Sequence, residues 1–323
     1  MMLSEVAIVC IAKNEIKYIE EWIYYHIKIG VSKIIIYDNS DNNELKYLEK
    51  TWENKILVIP WVNSYIIKSP FSNKRTFNGV VNNPNCEGSQ IWAYENYILN
   101  YKKKNLMYKW VAFIDCDEFI QINNGMNIID FLNSINFHEG VLTVNWVHYG
   151  SNENIKYENK PVIERFTKRE ISGTNIHKSL CVITDVISTN HSMHDFKTNK
   201  SIRNVNGDEV SHGLVSHPCI DKMFLEHFAV KSKEEFQIKI DRKYAIIKNF
   251  GTRNWDHFYK FDKNEIEDLT LFNIMKNELY ESNFDYEYYK LNNYDLKDLS
   301  KGELWWHWCN YGKREGREGK KIN

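Results

Sequence analysis

A chain of 323 residues with 43% apolar and 14% aromatic side chains can fill a sizeable core, in one large domain or two smaller ones. Lys and Arg number 42 against 43 Asp and Glu, a net charge of −1, so no basic field argues for nucleic acid as a partner. The six cysteines are scattered without a Cys-x-x-Cys pair and read as reduced thiols; no apolar run approaches the roughly 18 residues of a membrane span, and a cytoplasmic protein, at most peripheral to a membrane, is expected.

Val6-Ala7-Ile8-Val9-Cys10-Ile11-Ala12 is apolar without alternation, as a strand buried on both faces would be. The polar loop Lys13-Asn14-Glu15 follows, with Asn14 placed to cap a helix. Ile16, Ile19, Ile23 and Ile27 then share one helical face up to Gly30, which ends it. Lys33-Ile34-Ile35-Ile36-Tyr37 is a second buried strand, running into Asp38-Asn39-Ser40. Such a strand, helix and strand form a right-handed parallel unit, whose polar strand ends face one crevice where open α/β sheets bind ligands. No Gly-x-Gly-x-x-Gly lies between the strands, which disfavours a dinucleotide-binding domain. Ile56 to Ile59 gives a third strand; residues 63–87, with Pro70, Gly79 and Pro84, read as a long loop suited to a lid. Gln90, Ala93, Tyr94, Tyr97, Ile98 and Tyr101 fall on one side of a helix.

The centre of the chain is Trp110-Val111-Ala112-Phe113-Ile114-Asp115-Cys116-Asp117-Glu118-Phe119, a buried strand that runs straight into three carboxylates. Taking one ionised carboxylate out of water costs several kcal/mol. The strand should therefore end in a cleft, where a cation offsets the repulsion, and oxygen ligands of this kind suit Mg²⁺ or Mn²⁺. Further strands are read at Phe119 to Ile122 and Val141 to Val147, the latter ending at His148-Tyr149-Gly150-Ser151, a loop fit for close approach to a ligand or for a plain turn. A helix is read at Ile128 to Leu132, and Asn206-Gly207 is a type I′ hairpin signal. Ser232 and Glu235 make a capping box for a helix through Phe236, Ile240, Tyr244 and Ile247 to Gly251. Another helix spans about 265 to 280, and the tail from Phe284 to Arg317, aromatic and then basic, reads as a small helical appendage.

These blocks taken in order, Ala7 to Glu15, Glu21 to His26, Gly30-Val31, Ile36 to Ser40 and Trp110 to Ile120, resemble glycosyltransferase family 92 and its family 2-like relatives. Weaker matches run through Trp146 to Gly150, Glu164-Arg165-Phe166, Lys178, His191 or His194, and His227 to Phe236. The tail separately resembles a short module appended to bacterial glycan-processing proteins. The resemblance implies a GT-A fold, a mixed central sheet flanked by helices, over residues 1–250, with residues 251–323 a helical extension. It implies metal-dependent transfer of a sugar from a nucleotide-sugar, a UDP-sugar by preference, to a glycan or other hydroxyl acceptor, with inversion. In that reading Asp117 ligates Mn²⁺ or Mg²⁺, assisted by Asp115 and by His194 or, less favoured, His227. Asp38 and the Lys13-Asn14-Glu15 loop meet the nucleoside, Gln90 closes over it, and Lys178 meets the diphosphate. An inverting reaction needs a carboxylate base, for which Asp195 is preferred over Asp185 and Glu170. A His194 ligand would make metal affinity fall as pH drops through roughly 6 to 7, whereas His26 is read as a hydrogen-bonded structural residue. The alternatives are a non-catalytic glycan or nucleotide-sugar binding protein and a two-metal phosphohydrolase, the latter leaving the Lys13 and Asp38 loops unexplained.

Overall fold

The computed structural model describes residues 5–61, 90–101, 108–189, 192–210, 217–241, 253–280, 284–299 and 301–320. The readings for the 63–87 loop and for His191, Tyr244, Ile247 and Gly251 lie outside these residues. Among them, no helix is long and apolar enough to cross a membrane.

The strands are Glu5–Ala12 (β1), Lys33–Asp38 (β2), Ile56–Pro60 (β3), Tyr108–Phe113 (β4), Glu118–Ile122 (β5), Val141–His148 (β6), Lys168–Arg169 (β7), His177–Val182 (β8), Val186–Thr189 (β9), Phe196–Thr198 (β10), Ile202–Asn204 (β11), Met223–His227 (β12) and Ile266–Glu267 (β13). The main sheet is mixed, in the order β3-β2-β1-β4-β8-β6-β12-β5, with β11 on the first half of β6. β1 is parallel to β2 and β4, as its flanking polar loops require, and β8 runs antiparallel between β4 and β6. The carboxyl ends of β1, β2, β4, β6 and β12 therefore share one edge with the first residues of β5 and β8.

Both faces of the sheet are covered, which is why β1 and β2 show no alternation. Val6, Ile8, Cys10, Ile34 and Ile36 pack into a core with Ile19, Trp22 and Ile23 of the helix Ile19–Lys28 and with Phe131 and Leu132 of the helix Ile128–Ser134. Ala7, Val9, Ile35 and Tyr37 point the other way, onto Ala93 and Tyr94 of the helix Gln90–Asn96. Two side chains fasten the first helix to β5, Trp22 Nε1 donating to the Glu118 carbonyl (2.7 Å) and Tyr25 hydroxyl to that of Ile120 (2.7 Å). His26 takes the structural role expected of it. It is fully buried, Nδ1 meets the Trp22 carbonyl at 2.8 Å, Nε2 accepts from the Ile120 N–H, and burial lowers its pKa to about 3.

Several local readings are corrected. Asn14 does not cap the helix, which starts at Ile19; it sits at φ 57° and its N–H donates to Ser40 Oγ (3.0 Å), tying the loops after β1 and β2 together. The Asn206-Gly207 turn is not type I′, since only Gly207 has positive φ; its N–H reaches back to the Asn204 carbonyl. The helix read at about 265 to 280 begins at Thr270, because Ile266–Glu267 pairs with Lys168–Arg169 as β13. Gly150 is needed for the protein's own packing: a Cβ there would lie 2.4 Å from the Lys263 carbonyl oxygen and 2.3 Å from Asn264 Oδ1. The capping box is present, with Ser232 N–H donating to Glu235 Oε2 (3.1 Å) and Glu235 N–H to Ser232 Oγ (3.3 Å). In the tail, Phe284, Tyr289, Leu304 and Trp305 join the same core as β1, and Lys313 Nζ reaches Glu20 Oε2 at 3.1 Å.

Candidate active site

The register of three strands builds the acidic corner. β12 pairs antiparallel with β5 so that His227 stands opposite Glu118, and parallel with β6 so that His227 stands beside His148. Asp117 precedes β5, and its carbonyl accepts the Phe228 N–H (2.9 Å), which seats the turn after β4 against the end of β12.

Each carboxylate of the cluster is met from within the protein. Asp115 Oδ2 accepts from Lys178 Nζ at 2.9 Å, and its Oδ1 from Gln90 Nε2. Glu118 is fully buried, its Oε2 accepting the Asp115 N–H (2.9 Å) and its Oε1 lying 3.7 Å from Lys178 Nζ; burial pushes its carboxyl well above the usual range, against the pull of Lys178. Asp117 Oδ2 accepts from Lys239 Nζ at 2.8 Å, and Oδ1 lies 3.7 Å from His227 Nε2. Burial alone would raise the Asp117 carboxyl, but the charges of Lys239 and, after it, Lys231 outweigh it and hold it well below the ordinary value. Lys239 is itself lowered to about 8 by burial, despite Asp117. The offsetting cation that the sequence requires is therefore, in part, two buried lysines.

Both His227 and His194 pack on Trp146, whose ring centre lies 4.4 Å from that of His227 and 5.3 Å from that of His194. His194 meets the His177 carbonyl through Nδ1 (2.8 Å), and the first charges it feels are Lys178 and then Asp115. Burial lowers it to about 4, so its titration falls below the pH 6 to 7 window expected from the sequence. His227 is the imidazole that faces Asp117, and burial keeps it well below its ordinary pKa, hence neutral. His148, also lowered to about 3 by burial, packs next to it with its ring tilted at 36° and 5.1 Å between ring centres.

The remaining predicted residues separate into those at this edge and those elsewhere. Gln90, expected to close over the nucleoside, reaches Asp115, and Asp195 lies near the start of β8, with Oδ1 3.1 Å from His177 Nε2. Glu15 is buried and Lys13 half-buried beside the Asn14–Ser40 contact. Asp38 is corrected as a nucleoside contact: it has no exposed surface, and its two oxygens accept the N–H groups of Ser40 and Leu45 (both 3.0 Å). Lys178 is likewise closed to solvent and committed to Asp115 and Glu118. Asp185 is excluded by topology. It follows β8 at the opposite edge of the sheet, where its Oδ2 accepts the Gly140 N–H (2.8 Å). Glu170 is committed to the His148 N–H at 2.6 Å.

Lys239 and Lys231 were not legible as site residues. The available signal was spacing: Lys239 follows the capping residue Glu235 by four, hence on the same helical face.

Two ligands each about 2.1 Å from an ion are about 3.0 Å apart when adjacent and at most about 4.2 Å when opposite, so Asp117 Oδ1 and the neutral His227, at 3.7 Å, lie within reach of a shared ion after a small adjustment. Among the described residues no group of three or more His, Cys, Asp or Glu is gathered for a metal. Further ligands would have to be oxygens of a diphosphate or water.

A profile of glycosyltransferase family 92 matches residues 6–270. The chain belongs to this family. It is 22% identical over 258 residues to a family 92 protein of Oryza sativa subsp. japonica, covering 75% of this chain and 37% of that protein. A family 92 protein of Ricinus communis is 24% identical over 131 residues, 39% of this chain and 19% of the relative. The chain thus spans well under half the length of these family 92 relatives. Among solved structures, the mannosyltransferase Ktr4p from S. cerevisiae overlaps 47% of this chain and 42% of its own, at 10% identity and a TM-score of 0.26. The family 92 match begins within β1 and ends at Thr270, so it takes in the Asp117 corner, Lys239 and β13.

Proposed function

We propose that this family 92 chain transfers a sugar from a nucleotide-sugar, a UDP-sugar, to a hydroxyl of a glycan or glycoconjugate, with inversion, from a sheet of the GT-A type. The observation that carries the reading is the Asp117–His227 pair at the carboxyl edge, an ionised carboxylate facing a neutral imidazole beside a buried lysine. Mn²⁺ or Mg²⁺ held by that pair would supply Lewis-acid neutralisation of a leaving diphosphate. This moves the favoured histidine ligand from His194 to His227, because the register places His227 against Asp117.

The chain's own residues do the rest. Gln90 and Lys178 fix the Asp115 carboxylate from both sides, so it presents a preset acceptor to a ribose hydroxyl or to metal-bound water without reorganising. The tethered loops after β1 and β2 offer the nucleoside a wall at the same edge. On the acceptor side, Asp195 is the base: held by His177, it takes the hydroxyl proton as that oxygen bonds to the anomeric carbon and the bond to the diphosphate oxygen breaks.

A screen of UDP- and GDP-sugars with Mn²⁺, with and without candidate glycan acceptors, tests the reading. UDP should be released from at least one UDP-sugar, and Asp195→Asn should lower transfer by about 10²- to 10⁴-fold while UDP still binds. No release from any donor would overturn the reading; full transfer by Asp195→Asn would move the base elsewhere.

A further inference from the structure

Lys231 combines two costs that a structural lysine would not carry. Its backbone is left-handed at φ 57°, a conformation that non-glycine residues keep only under constraint. Its side chain is buried, the residue being 3% exposed, and its Nζ has no hydrogen-bond partner among the described residues. The Tyr18 ring, with its centre 4.5 Å from Nζ, offers partial compensation. A buried ammonium that makes no hydrogen bond is expensive even where the Asp117, Glu21 and Glu235 carboxylates feel its charge.

The ammonium borders a cavity of about 140 Å³, several times the roughly 30 Å³ that one water occupies. Asn14, Glu15, Lys17, Glu44, Lys231, Glu235 and Lys239 contribute its charged and polar lining. One wall is the loop after β1; another is Lys239, whose Nζ bonds Asp117, so the cavity adjoins the corner described above. Of its carboxylates, Glu235 is already neutralised by two hydrogen bonds from Arg165 (2.8 and 3.0 Å) and a third from the Tyr18 hydroxyl (2.8 Å). Lys239 is likewise paired with Asp117 (2.8 Å), which leaves Lys17 and Lys231 to face Glu15 and Glu44, and the Lys231 ammonium makes no hydrogen bond among the described residues.

We infer that this cavity is an anion subsite and that Lys231 binds the diphosphate of the donor. The inference rests on the nucleotide-sugar reading and adds a residue to it that neither the acidic motif nor the histidines supply. A diphosphate is the anion that suits the place, because it carries several acceptor oxygens and more than one negative charge, and the cavity shares Lys239 with the Asp117 corner.

The test compares wild type, Lys231→Met and Lys231→Arg by thermal melting without ligand and by calorimetry with UDP, pyrophosphate and uridine in Mn²⁺. Removing an unpartnered buried charge should leave the unliganded protein melting no lower than wild type. UDP and pyrophosphate should bind at least about tenfold more weakly to Lys231→Met, the loss of one charge-assisted contact, while uridine binding stays the same. Lys231→Arg, which keeps the charge, should retain UDP binding. A Lys231→Met variant that melts lower and binds UDP as wild type does would show a structural lysine and overturn the inference. So would loss of UDP binding by both variants, or UDP binding unchanged in Lys231→Met while Asp117→Asn abolishes the Mn²⁺ effect; in that last case the nucleotide-sugar reading survives. Conversely, pyrophosphate binding that depends on Lys231 in a protein that ignores UDP would uphold the anion subsite and reject the donor reading.

Discussion

Asp117→Asn should lower kcat/KM for sugar transfer by at least about 10³-fold, about 4 kcal/mol of barrier. The amide is nearly isosteric, so the turn that holds the Phe228 N–H is kept, but the group that Lys239 and His227 both address loses its charge. Lys239 keeps the Ala229 carbonyl (2.9 Å) and meets a neutral amide oxygen in place of the carboxylate, so a buried cation loses its paired counter-ion. Part of the loss could then come from local rearrangement, so Lys239→Met in the Asp117→Asn background serves as the control: it removes the stranded charge and should restore stability without restoring turnover. Activity within tenfold of wild type in Asp117→Asn would remove Asp117 from the chemistry.

Glu235→Gln should destabilise the fold by about 3–5 kcal/mol at neutral pH, the cost of removing one partner from a buried ion pair. Both side chains are nearly inaccessible, 2% for Arg165 and 4% for Glu235, and the guanidinium meets the carboxylate through two nitrogens. Burial would raise the Glu235 carboxyl, but Arg165 outweighs it and brings it down to about 2 from an ordinary 4.5. The folded value is the lower one, so the stabilisation is fully present above about pH 4.5 and is lost as pH falls through about 2. The difference of roughly 2.5 pH units corresponds to about 3 kcal/mol. Urea unfolding of wild type and Glu235→Gln at pH 7 and near pH 3 measures it: the gap between the two should narrow at the lower pH, and a gap under about 1 kcal/mol at pH 7 would show that the pair adds little beyond its desolvation cost.

What the sequence discloses are features written in neighbouring residues. The unbroken apolar runs of β1, β2 and β4 mark strands covered on both faces, and the structure supplies a helical layer on each side. Ser232 and Glu235, three apart, announce the helix start that is observed. The acidic turn after β4 is legible as a site because its charges are adjacent.

What lies hidden depends on register and on side-chain reach. Asp195 and Asp185 stand ten residues apart in similar surroundings, yet one lies near the start of β8 and the other beyond its end, at opposite edges of the sheet. His227 faces Asp117 only because β12 pairs with β5 so that His227 opposes Glu118, a non-local fact that no spacing encodes. Lys178 reads as a diphosphate contact and Lys239 has no reading of its own, and it is folding that buries both ammonium groups against carboxylates.

Calorimetry of UDP binding with and without Mn²⁺, on wild type, Asp117→Asn and His227→Ala, tests the site most directly, because it needs neither the sugar nor the acceptor to be known. Wild type should bind UDP at least about tenfold more tightly in Mn²⁺, a coupling of about 1.4 kcal/mol, and both variants should lose that gain, whereas His194→Ala should keep it. Equal UDP affinities for wild type and both variants, with the ion and without it, would contradict the account.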